Sequence, residues 1–236
     1  SERKKLHFFL ENWIKNKINL TLRSLLYLKN SKEKKSNIRA LSYQLYENNG
    51  VVKREYVIDY LNKLNQEDRK ILRKIGIKFG RYHIYLFKLL KPDAVSLRLI
   101  LWKNYYQKFF DFKPPKFGLN FIESKKTLNK NFMLICGFEK FENFFVRIDI
   151  LERLFIKIIE NNKKNKIKLN SDMINLLGCS KDNFIKLLKL MNYKVEEGKK
   201  ENEIYFRYMP KNTNKKTKLL KKYKKNDNPF NVLSNV

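Results

Sequence analysis

The chain has 236 residues, 43% of them hydrophobic, and a formal net charge of +30 at pH 7. That length and apolar content suffice for two compact units with tails and exclude a chain disordered throughout. The charge favours polyanions and opposes self-association at low salt, and every apolar run is broken by charges well short of the ~20 residues a membrane span needs.

The basic excess is mostly lysine, 42 Lys against 11 Arg, beside abundant Asn and Ile and few Gly. An AT-rich coding bias produces the same pattern, so part of the charge needs no selection for binding. RNA or other nucleic acid is the expected partner, with no membrane. Cys136 and Cys179 lie far apart with no CxxC spacing, as free thiols in a reducing cytoplasm would. Arg3-Lys4-Lys5 before an apolar stretch looks like the start of a signal peptide, but Glu11 and Asn12 cut that stretch short. The first residue is Ser rather than Met, so a fragment of a longer protein is expected.

Leu6, Leu10, Trp13, Ile14, Ile18, Leu22, Leu25 and Leu26 form one helical seam, which predicts a long helix over about residues 4–29 facing a core. A charged linker follows. Ile38, Leu41 and Leu45 then face inward on a shorter helix stopped by Asn48-Asn49-Gly50. Residues 54–64 read as a third helix, and Asn65 caps a fourth that ends at Gly76. Residues 77–90 are apolar and aromatic, with Gly80 allowing a turn, and Lys91-Pro92 opens another helix containing Val95, Leu97, Leu101 and Trp102. The predicted organisation is a helical accessory domain over 1–112, a linker over 113–130, a second domain over 131–210 and a basic tail over 211–236.

Tyr105, Tyr106 and Phe109 stand among lysines before two prolines. Rings so placed can stack single-stranded bases, and equally can pin a linker onto the domain surface.

Asp149 opens an amphipathic helix with Ile150, Leu151, Leu154, Phe155, Ile158 and Ile159 on one side. Ile167 to Leu169 make a short strand, and Ser171 can cap a helix that Gly178 terminates. Ser180 caps the next helix, with Phe184, Leu187, Leu188 and Met191 at i, i+3, i+4 and i+7. Residues 193–195 and 204–208 alternate like strands around a polar, Gly-containing loop. Helix, strand, helix, helix, strand, wing, strand is the order of a winged helix. The fold class expected is mainly α: a helical N-terminal unit, then a winged-helix-like α+β unit with a small β-hairpin, then a disordered basic tail.

In that reading Lys181, Lys186, Lys189, Lys194, Lys199 and Lys200 are the nucleic-acid-binding residues. Winged-helix domains also serve as protein-packing modules, and an Asp182–Lys186 pair at i, i+4 would make this face ordinary solvated surface.

Catalytic patterns are missing. There is no GxxxxGK[ST] loop and no GxGxxG. His7 and His83 stand at no metal-ligand spacing to a cysteine or carboxylate, so no metal and no catalytic residue is expected. Asp149 and Glu152 suit the acidic first turn of a helix better than a chelate.

Several segments carry a family resemblance. They are Leu72-Arg73-Lys74-Ile75-Gly76-Ile77-Lys78-Phe79-Gly80-Arg81, Leu89-Leu90-Lys91-Pro92, Leu97-Arg98 with Leu101-Trp102, and Gly137-Phe138. Val146-Arg147-Ile148-Asp149-Ile150-Leu151-Glu152-Arg153-Leu154, Leu177-Gly178-Cys179-Ser180 and Asn228-Pro229-Phe230-Asn231-Val232-Leu233 complete the set. In this order they resemble the region after the motor in alphaproteobacterial relatives of the mitochondrial degradosome RNA helicase, a superfamily-two family. The family's alanine- and arginine-rich positions are here Lys, Asn and Ile, and nothing resembles its ATP-binding or helicase motifs.

The resemblance implies a parent protein that unwinds RNA with ATP and Mg bound to helicase motor domains upstream. This chain would need no cofactor and be inactive alone. Its role would be to grip the strand leaving the motor, brace the motor or dock a nuclease. A stand-alone winged-helix regulator and a protein-interaction module whose charge reflects coding bias are the alternatives.

Overall fold

The computed structural model describes residues 2–30, 35–106, 113–124, 128–161, 166–198 and 203–209. Among them helix predominates, with three small antiparallel sheets. The chain divides into two compact units between Lys113 and Pro114.

Unit 1 begins with α1 (Glu2–Thr21) and α2 (Arg23–Lys29). The expected single helix is broken at Leu22, and its seam is only half buried. Ile18, Leu22, Leu25 and Leu28 enter the core, whereas Leu6, Phe8, Phe9, Leu10, Trp13 and Ile14 are exposed. Helical periodicity marks an apolar stripe and does not say what covers it.

α3 (Ser36–Glu47) ends as predicted, with Asn49 and Gly50 at φ 56° and 80°. Strand β1 (Val51–Lys53) leads into a 3-10 turn over Arg54–Val57 and then α4 (Ile58–Asn62), so the expected third helix is half 3-10. α5 (Gln66–Ile75) carries a capping box: Asn65 accepts from the Asp68 amide, Asp68 reaches back to the Asn65 amide, and Gly76 at φ 104° closes the helix. Strands β2 (Ile77–Phe79) and β3 (His83–Leu86) follow, giving a sheet of order β1-β3-β2 that a mostly helical first unit did not anticipate. Its residues are too few, and β3 is too buried, to show alternation.

A 3-10 turn over Phe87–Leu90 precedes α6 (Pro92–Tyr106). Arg98 of α6 is fully buried and donates Nη1 to the Asn49 carbonyl (3.0 Å) and Nη2 to the Leu89 carbonyl (2.6 Å). It ties the helix to the two turns that flank the sheet. A Cβ at Gly50 would overlap Leu89, so this turn requires glycine for space as well as for its positive φ.

In unit 2 the span expected as linker contributes β4 (Phe121–Glu123) to a sheet. Asn129 caps α7 (Lys130–Ile135), and β5 (Phe138–Phe141) and β6 (Phe144–Arg147) complete the order β4-β6-β5. Phe144 is buried at its centre, with ring centroids 5.0 Å from Phe121 and 5.7 Å from Phe141.

α8 (Ile148–Glu160), β7 (Ile167–Lys168), α9 (Ser171–Leu177), α10 (Lys181–Leu190), β8 (Tyr193–Glu197) and β9 (Ile204–Tyr208) follow in the expected order. The α9 cap is Asn170 rather than Ser171, with Oδ1 accepting from the Met173 amide at 3.0 Å; Ser180 caps α10 as predicted. The sheet order is β7-β9-β8. Leu154, Ile167, Leu177, Phe184, Leu188 and Phe206 are buried, each contributing about 1.5–3 kcal/mol.

All three sheets are wired alike. The first strand and the second both pair with the third, which lies in the middle, and helix is inserted between the first and second strands.

Candidate nucleic-acid interface

α10 buries Asn183, Phe184, Leu187 and Leu188, which turns Lys181, Asp182, Lys186 and Lys189 outward. Helical geometry brings Lys186 and Lys189 together at i, i+3. The pair expected of an ordinary solvated face, Asp182 with Lys186, is absent among the described residues.

The hairpin after α10 differs. Lys194 of β8 lies 3.4 Å from Glu196, which also meets Arg207 at 3.3 Å and Lys166 at 3.5 Å. The Lys194 hydrogen bond, with Arg207 and Lys166 beside it, holds the Glu196 carboxyl below its ordinary range. Lys168 donates to Glu203 at 2.6 Å, which lowers that carboxyl and raises the lysine. The positive charge at the base of this hairpin is thus partly offset by its own glutamates. Lys194 is an ion-pair residue within β8, two residues from Glu196, as well as a candidate contact. Lys199 and Lys200 lie outside the described residues.

Tyr105 and Tyr106 close α6 and are half-buried. Tyr106 meets Trp102 edge-on at 5.4 Å and Tyr105 at 5.1 Å. Edge-to-face rings at one helix end form a packed cluster rather than a row of parallel faces for bases. Phe109 lies outside the described residues.

Unit 1 holds a surface that the sequence reading passed over. α5 leads directly into β2 and β3, as α10 leads into β8 and β9. Residues 66–86 contain six cations and two carboxylates, one of them Asp68, buried in the helix cap beside Lys35 at 3.7 Å. Residues 181–208 contain seven cations and five carboxylates. Lys70, Arg73 and Lys74 are exposed at i, i+3 and i+4, and the Arg73 guanidinium lies 5.5 Å from the centre of the Phe79 ring. Arg69 beside it donates to the Leu61 carbonyl at 2.9 Å, which braces the helix against α4. The signal was legible as Arg69-Lys70 and Arg73-Lys74 followed by ten residues, 77–86, without an Asp or Glu.

Candidate chemistry is sparse elsewhere. Among the described residues no three His, Cys, Asp or Glu gather as a metal site. Burial pushes the Cys179 thiol up to about 11, which leaves little thiolate at neutral pH. Asp149 is occupied by Arg147, through bonds of 2.8 and 2.6 Å across the junction of β6 and α8, and that bond raises the arginine further. No described helix is long and apolar enough to cross a membrane.

No protein-family model, curated protein or solved structure matches this chain.

Proposed function

We propose that the chain is a non-catalytic nucleic-acid-binding region built on winged-helix-type units and serving as the accessory part of an ATP-dependent RNA helicase in the cytoplasm. One observation carries the binding reading. Residues 148–208 run helix, strand, helix, helix, strand, strand with sheet order β7-β9-β8, and this leaves Lys181, Lys186 and Lys189 exposed on the helix before the hairpin. A winged helix presents that helix to nucleic acid. Lysine-phosphate contacts release counterions and need no base identity, so sequence preference is low.

The helicase part rests on the sequence resemblance. Its patches fall at junctions: residues 72–81 carry α5 through β2 to the turn, Arg98 holds the Asn49 and Leu89 carbonyls, Arg147 and Asp149 join β6 to α8, and residues 177–180 link α9 to α10. Residues with such folding roles support a shared scaffold, and with it a role bracing a motor or docking a nuclease. ATP and Mg would belong to the motor.

The test is a salt titration with labelled single-stranded RNA. About six phosphate contacts give a slope of log affinity against log salt near −4. Affinity unchanged between low and physiological salt would overturn the reading. A micromolar Mg-ATP site found by calorimetry would overturn the non-catalytic assignment.

A further inference from the structure

We propose that unit 1 carries a second nucleic-acid site, formed by the exposed ridge of α5: Lys70, Arg73 and Lys74. Its ligand is the phosphate backbone of RNA. The inference rests on the nucleic-acid-binding reading and adds a site on a different unit from α10.

Three observations converge on it. The first is position. α5 stands immediately before the β2-β3 pair in a sheet of order β1-β3-β2, the place α10 holds before β8 and β9 in a sheet of order β7-β9-β8. The second is charge. Among the described residues no carboxylate pairs with Lys70, Arg73 or Lys74, and Glu67 is the one exposed carboxylate on the helix. Near the β8-β9 hairpin, by contrast, Glu196 and Glu203 hold four cations. The third is preorganisation. Arg73 rests over Phe79, whose neighbour Arg69 is fastened to the Leu61 carbonyl, and a guanidinium held on a ring keeps its N–H edge available to phosphate oxygens.

The capping box at Asn65 and the left-handed Gly76 fix both ends of the ridge, so Lys70, Arg73 and Lys74 project from a helix of set length. An anionic membrane is the competing polyanion. Surface binding to lipid needs a broad apolar face beside the cations, and on α5 the one large exposed apolar side chain is Ile71, at 40%. Phosphate on a polynucleotide fits the ridge better.

The experiment uses the full chain and a labelled single-stranded RNA of about 20 nucleotides, titrated at several salt concentrations. Four proteins are compared: wild type, K70E/R73E/K74E on α5, K181E/K186E/K189E on α10, and K4E/K15E/K17E on α1, which makes the same charge change on exposed residues of unit 1. The α5 variant is expected to bind about ten-fold or more weakly than wild type near 0.1 M salt, with the salt slope reduced by about two units. The α1 variant is expected to stay within about three-fold of wild type.

Tryptophan emission, dominated in its response to unfolding by the buried Trp102, reports whether unit 1 is folded, and K70Q/R73Q/K74Q replaces the reversal if Glu at those positions disturbs it. An α5 variant that binds like the α1 variant, while wild type binds RNA, overturns this site and leaves the proposed function standing. Wild type that fails to bind RNA overturns both. Loss of binding to phosphatidylserine vesicles with RNA affinity unchanged would also overturn it, by assigning the ridge to lipid.

Discussion

In unit 1 the helix before the hairpin and the hairpin itself hold six cations against two carboxylates; in unit 2 the same elements hold seven against five. The wiring is shared and the number of cations is similar, so what separates the two surfaces is where the carboxylates stand. Glu196 and Glu203 bind Lys166, Lys168 and Arg207 across strands, and Glu196 also binds Lys194 within β8. In unit 1 the corresponding strands contain no acid, and Asp68 is spent on a helix cap. In a chain where lysine is common everywhere, the placing of acidic residues says more about binding than the placing of basic ones.

The comparison breaks most completely if unit 1 is unfolded without touching its surface charge. Arg98→Ala removes a buried guanidinium and leaves the Asn49 and Leu89 carbonyls without that donor, so unit 1 is expected to lose about 3–5 kcal/mol. Both tryptophans, Trp13 and Trp102, belong to this unit, and urea unfolding followed by their fluorescence measures the loss directly. A midpoint that does not move would show that the bonds to the two turns carry no net stability.

A smaller effect comes from the cap. Asn65→Ala removes one half of the capping box and is expected to cost about 1 kcal/mol in the same fluorescence assay, fraying the first turn of α5. Stability equal to wild type would mean that solvent satisfies the Asp68 amide as well as Asn65 does.

The gentlest change sharpens the comparison by making unit 2 more like unit 1. Glu196→Gln releases Lys166, Lys194 and Arg207, and is expected to tighten RNA binding about three-fold and steepen the salt slope by about 0.7. Unchanged or weaker binding would mean that the ion pairs hold the hairpin in its binding shape.

Acid does not imitate this substitution. The Glu196 carboxyl is depressed in the folded chain, so its pairing is fully present above the ordinary carboxylate value of about 4.3 and is lost only as pH falls through the lower folded value. RNA binding is therefore expected to show no step from this group between pH 7 and pH 5, checked by anisotropy in buffers of constant ionic strength.

Much of the helical framework is legible in the amino-acid sequence, because caps and stops are local. Asn65, Gly76, Gly178 and Ser180 each mark a boundary that the fold keeps. Strands β1 to β6 are not legible in the same way. They are three or four residues long, and His83 to Leu86 are buried throughout, so their pattern is neither alternating nor periodic.

The exposed seam of α1 failed for another reason. Leu6, Leu10, Trp13 and Ile14 obey the helical period, but period reports an amphipathic face, and burial depends on a partner that local sequence does not name. Of the candidate contacts, Lys181, Lys186 and Lys189 were recognisable from the α10 stripe alone. The cluster that Lys194 joins was not, because strand register decides which other cations meet Glu196: Arg207 comes from β9, opposite Lys194, and Lys166 from just before β7.

The placing of the third strand in the middle of each sheet has a consequence for how the chain is made. A ribosome delivers β1, β4 and β7 first, yet none of them can pair until β3, β6 or β9 has emerged, because the first strand's only ladder partner among the described residues is the last strand of its own set. Each first strand therefore waits through the synthesis of the intervening helix and the second strand with its edge unpaired. The local hairpin, β2 with β3 or its equivalents, closes over a short loop at little entropic cost and then captures the waiting strand. A pause in translation just after Leu86, Arg147 or Tyr208 clears the ribosome tunnel would let one complete sheet form before the next begins, whereas a pause a few residues earlier would leave an open strand edge exposed to neighbouring nascent chains.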